Sequence, residues 1–234
     1  MTMKIKKITY AVFMLLPLAV AAVALLFLPE QIPAHYGAGM TVDRWGSKFE
    51  SLIFPLETAG FGLLMILFAK LAGKVEEKNN KNKNNENITL TIGLVILIVF
   101  NALDYYFIYA ALNNVTDLSE IPVDIYSLVV LLFGIALVII GNILPKTRKN
   151  SLIGFRTAWT MKNDITWKKC QLFGGITMII SGLLVALGGM FVFKGISAIF
   201  YMLAVLAVMM AADAAYSYFI MKKYGGDYAG VEDE

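Results

Sequence analysis

The sequence predicts an all-α, polytopic integral membrane protein with six transmembrane helices and both termini in the cytoplasm. Three observations carry this. Of 234 residues, 59% are hydrophobic and only 16% charged, more apolar side chain than a soluble domain of this length can bury. Six runs meet the requirement of roughly 20 apolar residues for crossing a hydrocarbon core. Lys and Arg segregate strongly to one side of those runs.

The runs are Ile8–Leu28, Ser51–Ala69, Ile88–Leu112, Pro122–Leu144, Cys170–Phe193 and Ile196–Met221. The first is uncharged and longer than the roughly 7–15 residues of a signal-peptide core, so it reads as a retained anchor. The second carries Glu57, the third Asp104 and the sixth Asp213; each acid requires a partner or water, because an isolated charge is costly in lipid. Pro17 and Pro55 mark bends in the first two runs. Gly134 and Gly141 in the fourth run, and Gly174, Gly175 and Gly182 in the fifth, are read as points of close helix approach.

Every basic residue except Arg44, Lys48 and Lys194 lies in the N-terminus, the second loop, the fourth loop or just after the sixth run. The positive-inside rule places those segments in the cytoplasm. The chain then divides into a two-span hairpin over 1–72 with a structured extracellular loop at 29–50, a polar flexible cytoplasmic linker at 73–87, a four-span module over 88–224 with a basic cytoplasmic loop at 145–169, and a disordered tail at 225–234. The linker reading rests on "KVEEKNNKNKNNEN", which has almost no apolar residue to bury.

The first outside loop reads "LPEQIPAHYGAGMTVDRWGSK". Its prolines and glycines predict a folded turn, and Trp45 fits an interfacial aromatic belt. Its polar tools are His35, Asp43, Arg44 and Lys48. Acids outnumber bases on this side, so Glu57 and Asp104 are candidates for a vestibule that receives a cation or cationic peptide. The structural alternative is that both acids pair with Arg44, Lys48 or tyrosine hydroxyls and lock the first two spans to the bundle. On the opposite side, "LPKTRKNSLIGFRTAWT" places Lys146, Arg148, Lys149 and Arg156 beside Trp159. A topology signal, a lipid-surface anchor and a recognition surface for an acidic partner all suit that pattern. Asn163 and Asp164 are placed to cap the fifth run.

One histidine and one cysteine exclude a disulfide framework and the usual zinc or iron ligand sets. No nucleotide-binding glycine pattern and no nucleophile–base pair is present. We therefore expect no catalytic residue, no metal, no cofactor and no direct nucleic-acid binding.

The segment "GNILPKTRKNSLIGFRTAWTMKNDITWKKCQLFGG" resembles the signature of the SdpI-type (SdpI/YfhL) bacterial immunity proteins. The matching positions are Asn142, Pro145, Lys146, Asn150, Ile153, Gly154, Arg156, Thr157, Trp159, Asp164 and Trp167, with Arg148 between them. The first loop is similar to a domain of unknown function that often precedes this module, through Ile32–His35 and the Asp-x-Trp-Gly-x-Lys pattern at Asp43–Lys48. The resemblance implies a multi-pass protein of the bacterial plasma membrane that confers resistance to a secreted peptide toxin. It also implies contact with bacterial membrane lipids, and recruitment of a small DNA-binding repressor to the cytoplasmic face. The chain departs from the family at Cys170, Gln171 and Leu172, where Thr-His-Arg is frequent, so a role carried by that histidine does not transfer. Outside the resemblance, a small-molecule or ion transporter and a lipid-handling protein, with Glu57, Asp104 and Asp213 lining a polar path, form the alternative reading. A membrane enzyme using a carboxylate and Arg156 is the third.

Overall fold

The structure, a computed structural model, describes residues 2–78 and 84–226. It contains six helices long and apolar enough to cross a membrane: α1 (Met3–Ala24), α2 (Ile53–Lys78), α3 (Asn84–Leu112), α4 (Ile125–Ile143), α5 (Asp164–Phe191) and α6 (Ile196–Tyr224). The helices agree with the six expected runs, and the differences lie at their ends. Helix α5 begins well before Cys170 because Asn163 and Thr166 form a reciprocal capping box, each side chain bonded to the other's backbone N–H. Trp167, Lys168 and Lys169 therefore belong to the helix, and the basic loop is shorter than 145–169. Pro55 lies in the first turn of α2, where a missing N–H breaks no helical hydrogen bond, so it starts the helix instead of bending it.

The segment expected as a flexible linker is largely helical. Helix α2 continues to Lys78 and α3 begins at Asn84, so residues 73–78 and 84–87 are ordered. Residues 79–83 lie outside the described residues, as do 227–234 of the expected tail. Polarity misled here because the polar side chains bind the rest of the chain: Asn85, Glu76 and Glu86 are all buried.

Hydrogen bonds sort the elements into two ends. One end holds the starts of α1, α3 and α5 and the end of α6, joined through Lys6 to Thr91 (2.6 Å), Asn85 to Arg148 and Asn163 to the Tyr224 carbonyl (2.7 Å). We call it the basic end. The other holds the chain between α1 and α2, which forms an antiparallel pair, β1 (Gln31–Tyr36) and β2 (Val42–Ser47), with Ile32 opposite Gly46 and His35 opposite Arg44. This small sheet is an addition to the all-α expectation. Its tip is pinned to the α3–α4 connection: the Val42 amide donates to Thr116 and the Leu118 amide to Met40 (both 2.9 Å). Tyr36 and Met40 then pack with Tyr106, Ala110 and Leu118 in one apolar cluster.

Helices α4 and α5 pack most closely. A Cβ on Gly134 would lie 2.6 Å from the Gly182 carbonyl oxygen, and one on Gly182 would lie 2.6 Å from that of Gly134. Gly141 and Gly175 form a second such pair. Gly174 has only ordinary van der Waals distances around it and is not part of this seam. Without a hydrophobic drive between helices in lipid, such close backbone approach is a main source of association. We predict that Gly134→Val or Gly182→Val lowers stability by about 1–3 kcal/mol through overpacking, read as thermal unfolding in detergent. Gly60→Ala, with nothing within 4 Å, should leave stability unchanged or slightly raised.

Candidate functional site

Each end of the bundle carries a group of sequence-predicted residues. At the hairpin end, three polar pairs brace the sheet: His35 Nδ1 to Asp43 Oδ1 (2.6 Å) and the ion pairs Arg44 to Glu50 (2.8 Å) and Lys48 to Glu30 (2.8 Å). Gly46 makes the second possible, since a Cβ there would overlap the Glu50 carboxylate. The Tyr36 hydroxyl donates to the Val115 carbonyl at 2.8 Å. Burial, with Tyr106 nearby, pushes its pKa up to about 12, so it stays a donor well above neutral pH.

Beneath the sheet lies a cavity of about 470 Å³. His35, Arg44 and Glu50 line its hairpin side, Phe54 and Phe107 its apolar flank, and Asp104 the wall formed by α3. The Phe54 and Phe107 rings stack with centroids 5.3 Å apart. Asp104 sits two turns inside the end of α3, about 12 Å from it at the helical rise per residue, and is 2% exposed. Its carboxylate accepts a hydrogen bond from Thr58 at 2.9 Å, and no cation among the described residues forms an ion pair with it.

Of the outer residues expected from sequence, the cavity gathers His35, Arg44 and Asp104. Asp43 and Lys48 act in the hairpin pairs, and Trp45 is 47% exposed on β2. Glu57 does not belong to the vestibule: it is exposed on α2 and absent from the cavity wall. One residue along a helix turns the side chain by about 100°, so Thr58, not Glu57, faces Asp104. The expected pairing of both acids with Arg44, Lys48 or tyrosines is likewise replaced, since those cations pair with Glu50 and Glu30. Sequence reading missed Thr58 because a threonine in an apolar run carries no signal of its own.

At the basic end, the connection from α4 to α5 is irregular backbone folded against the helices, and buried side chains satisfy it. Asn85, fully buried, accepts from the Arg148 amide (3.0 Å) and donates to the Arg148 carbonyl (3.1 Å). Its own backbone amide donates to Glu76 Oε2 at 2.8 Å. Trp167 Nε1 donates to the Thr147 carbonyl at 2.9 Å. Asn150 accepts from the amides of Leu152 and Ile153 and donates to the carbonyls of Arg148 and Ile153. Gln171, at the departure from the family pattern, accepts from the Phe155 amide (2.9 Å) and donates to its carbonyl (2.8 Å). Gly154 has φ +105°, and a Cβ there would sit 2.8 Å from the Trp167 ring; a glycine is required on both counts. Thr157 and Thr160 close the next turn through reciprocal hydroxyl bonds.

The remaining signature residues face outward. Lys146, Arg148, Arg156 and Asp164 are exposed. Asp164 lies 3.4 Å from Lys149, and Arg156 has no hydrogen-bond or ion-pair partner among the described residues. Trp159 packs edge-on to Tyr218, and Lys222, Lys169 and Lys223 sit over the rings of Tyr218 and Tyr224 at 4.8–5.3 Å, within cation–π range. Pro145 packs where Gly175 leaves room for it. Asn142 is exposed, and nothing in the structure explains its place in the signature.

Residues 146–217, from this loop through most of α6, match the SdpI/YfhL protein family. Residues 12–58, covering the second part of α1, the sheet and the start of α2, match a domain of unknown function (DUF1648). The resemblance read from the two motifs is thus borne out. A curated relative, the "Immunity protein SdpI" of Bacillus subtilis (strain 168), is 26% identical over 86% of this chain and 88% of its own length. An uncharacterized protein of Archaeoglobus fulgidus is 28% identical over 52% of this chain and 80% of its length. No solved structure matches. Six helices fit to cross a membrane, together with this similarity to the SdpI/YfhL family, make the chain a multi-pass protein of the plasma membrane.

The Asn85 clamp gives a direct prediction. Asn85→Ala removes the side-chain acceptor of the Arg148 amide and one of the two side-chain donors to its carbonyl, both part-buried bonds, and should cost about 1–3 kcal/mol. The expected readout is faster cleavage by trypsin at Arg148, with the α-helical circular dichroism unchanged below the melting temperature.

Proposed function

We propose that this protein is a non-enzymatic membrane immunity protein that protects its host from a secreted antimicrobial peptide. One observation carries the reading: likeness to an immunity protein runs through both modules, over 86% of this chain and 88% of the relative. The family motifs also coincide with built features at both ends, the braced hairpin and the clamped loop, so the resemblance is not confined to apolar spans.

In this reading the hairpin end faces outward and meets the peptide. The basic end faces the cytoplasm, as the positive-inside rule requires. Arg156, Lys146, Lys162 and Lys168, exposed at that end, contact anionic headgroups and offer an acidic protein partner a charged surface. Recruitment of a small DNA-binding repressor belongs to this face. A peptide signals through the membrane only by favouring one of two states of the bundle over the other.

Two measurements test this. Single cysteines at Ala38 and Lys162, in a Cys170→Ala background, should react with an impermeant maleimide from outside and from inside respectively; the reverse pattern overturns the orientation. In a susceptible strain, wild type should restore growth against a peptide toxin encoded near its gene. At matched membrane levels, Asp43→Ala/Lys48→Ala should lower the protective toxin concentration roughly ten-fold, the effect of losing one or two charge-assisted contacts. Arg156→Ala/Trp159→Ala should keep protection and lose only partner recruitment. Failure of wild type to protect removes the immunity reading.

A further inference from the structure

We infer that the cavity under the hairpin binds a cationic amphiphile: a primary ammonium carried on an apolar body, such as the amino end or a lysine of an apolar peptide. This deepens the immunity reading by naming the ligand chemistry, and it rests on that reading only for the peptide source. The cavity has three zones. Polar groups of the sheet and of the turn after it, His35, Arg44 and Glu50, stand at the hairpin side. They are already matched, Arg44 to Glu50 at 2.8 Å and His35 to Asp43 at 2.6 Å. The middle is apolar, with the stacked Phe54 and Phe107 rings on its wall. On the wall formed by α3, two turns inside the helix end, is Asp104, 2% exposed and, among the described residues, hydrogen-bonded by Thr58.

A carboxylate at that depth has one neutral donor where a buried charge needs a counter-charge, so the wall is electrostatically incomplete. An ammonium supplies the missing charge and charge-assisted hydrogen bonds, while its chain replaces water against the apolar wall. An anion is repelled by Asp104, and a neutral chain leaves the carboxylate unmatched. The volume of about 470 Å³ falls within the range of small-molecule sites, roughly 300–1,000 Å³. An ionisable residue that faces an intramembrane cavity is by default a functional one.

The test uses the whole protein in phosphatidylcholine nanodiscs with Ser51→Cys on the cavity wall and Cys170→Ala elsewhere. The readout is the maleimide labelling rate at position 51, and the probes are decylammonium and decanol. We expect decylammonium to slow labelling saturably, with decanol needing a roughly ten-fold higher concentration, the scale of one charge-assisted hydrogen bond. Asp104→Asn, which keeps an oxygen for Thr58, should abolish the difference between the probes. Equal protection by decanol in the wild-type cavity overturns the inference without recourse to any Asp104 variant, as does equal discrimination in Asp104→Asn. Slow labelling in phosphatidylethanolamine nanodiscs before any probe is added would support the same chemistry and name a lipid amine as its source. Protection by decylammonium together with failed immunity would remove the immunity reading and leave this site standing.

Discussion

Irregular backbone folded into the end of a helical bundle must have its N–H and C=O groups satisfied by side chains, and four buried residues do this for the α4–α5 connection. Asn85, Asn150, Trp167 and Gln171 together hold the main chain of Thr147, Arg148, Leu152, Ile153 and Phe155. An unmade bond at such a position costs its full desolvation. The exposed cations of the loop have defined positions only because this backbone does. The signature therefore has two parts. Asn150, Gly154, Thr157 and Trp167 hold the loop, while Lys146, Arg156 and Asp164 face outward.

Helix α3 joins the two ends. Asn84 and Asn85 at its start bind the carbonyls of Lys146 and Arg148, and Asp104, about 28 Å along it at the helical rise, reaches the cavity. Between them Asn101 donates to the Phe13 carbonyl of α1 at 2.8 Å, and Tyr10 of α1 donates to Gly62 of α2 at 2.9 Å. Polar cross-links of this kind add to close packing as specific contacts between helices in lipid. They tie the two family-matched modules into one bundle.

The hairpin shows how a short soluble-type element is stabilised at a membrane surface. Two strands alone are marginal. Here the sheet gains a third partner at Thr116–Leu118, one cross-strand His35–Asp43 bond, two ion pairs to the flanking chain, and an apolar underside against α3. The cavity is the space left where that underside does not fully meet α2 and α3. Asp213, a buried acid of α6, accepts from the Thr177 hydroxyl at 2.7 Å in the seam between α5 and α6.

Six spans, their order, the folded loop between the first two and the basic segment between the fourth and fifth were legible in the sequence, because length, apolarity and charge sign are properties of the chain alone. The two motifs were legible too, since they are local. What the tertiary structure alone decided is which polar residues meet. Thr58 rather than Glu57 faces Asp104 because of helix rotation. "KVEEKNNKNKNNEN" looked like a solvated linker because composition records polarity but not partners, and its Asn84, Asn85 and Glu86 find theirs on chain remote in sequence. The span boundaries moved for the same reason: a capping box or a buried asparagine ends a helix by making bonds, and those bonds form only once the fold has brought donor and acceptor together.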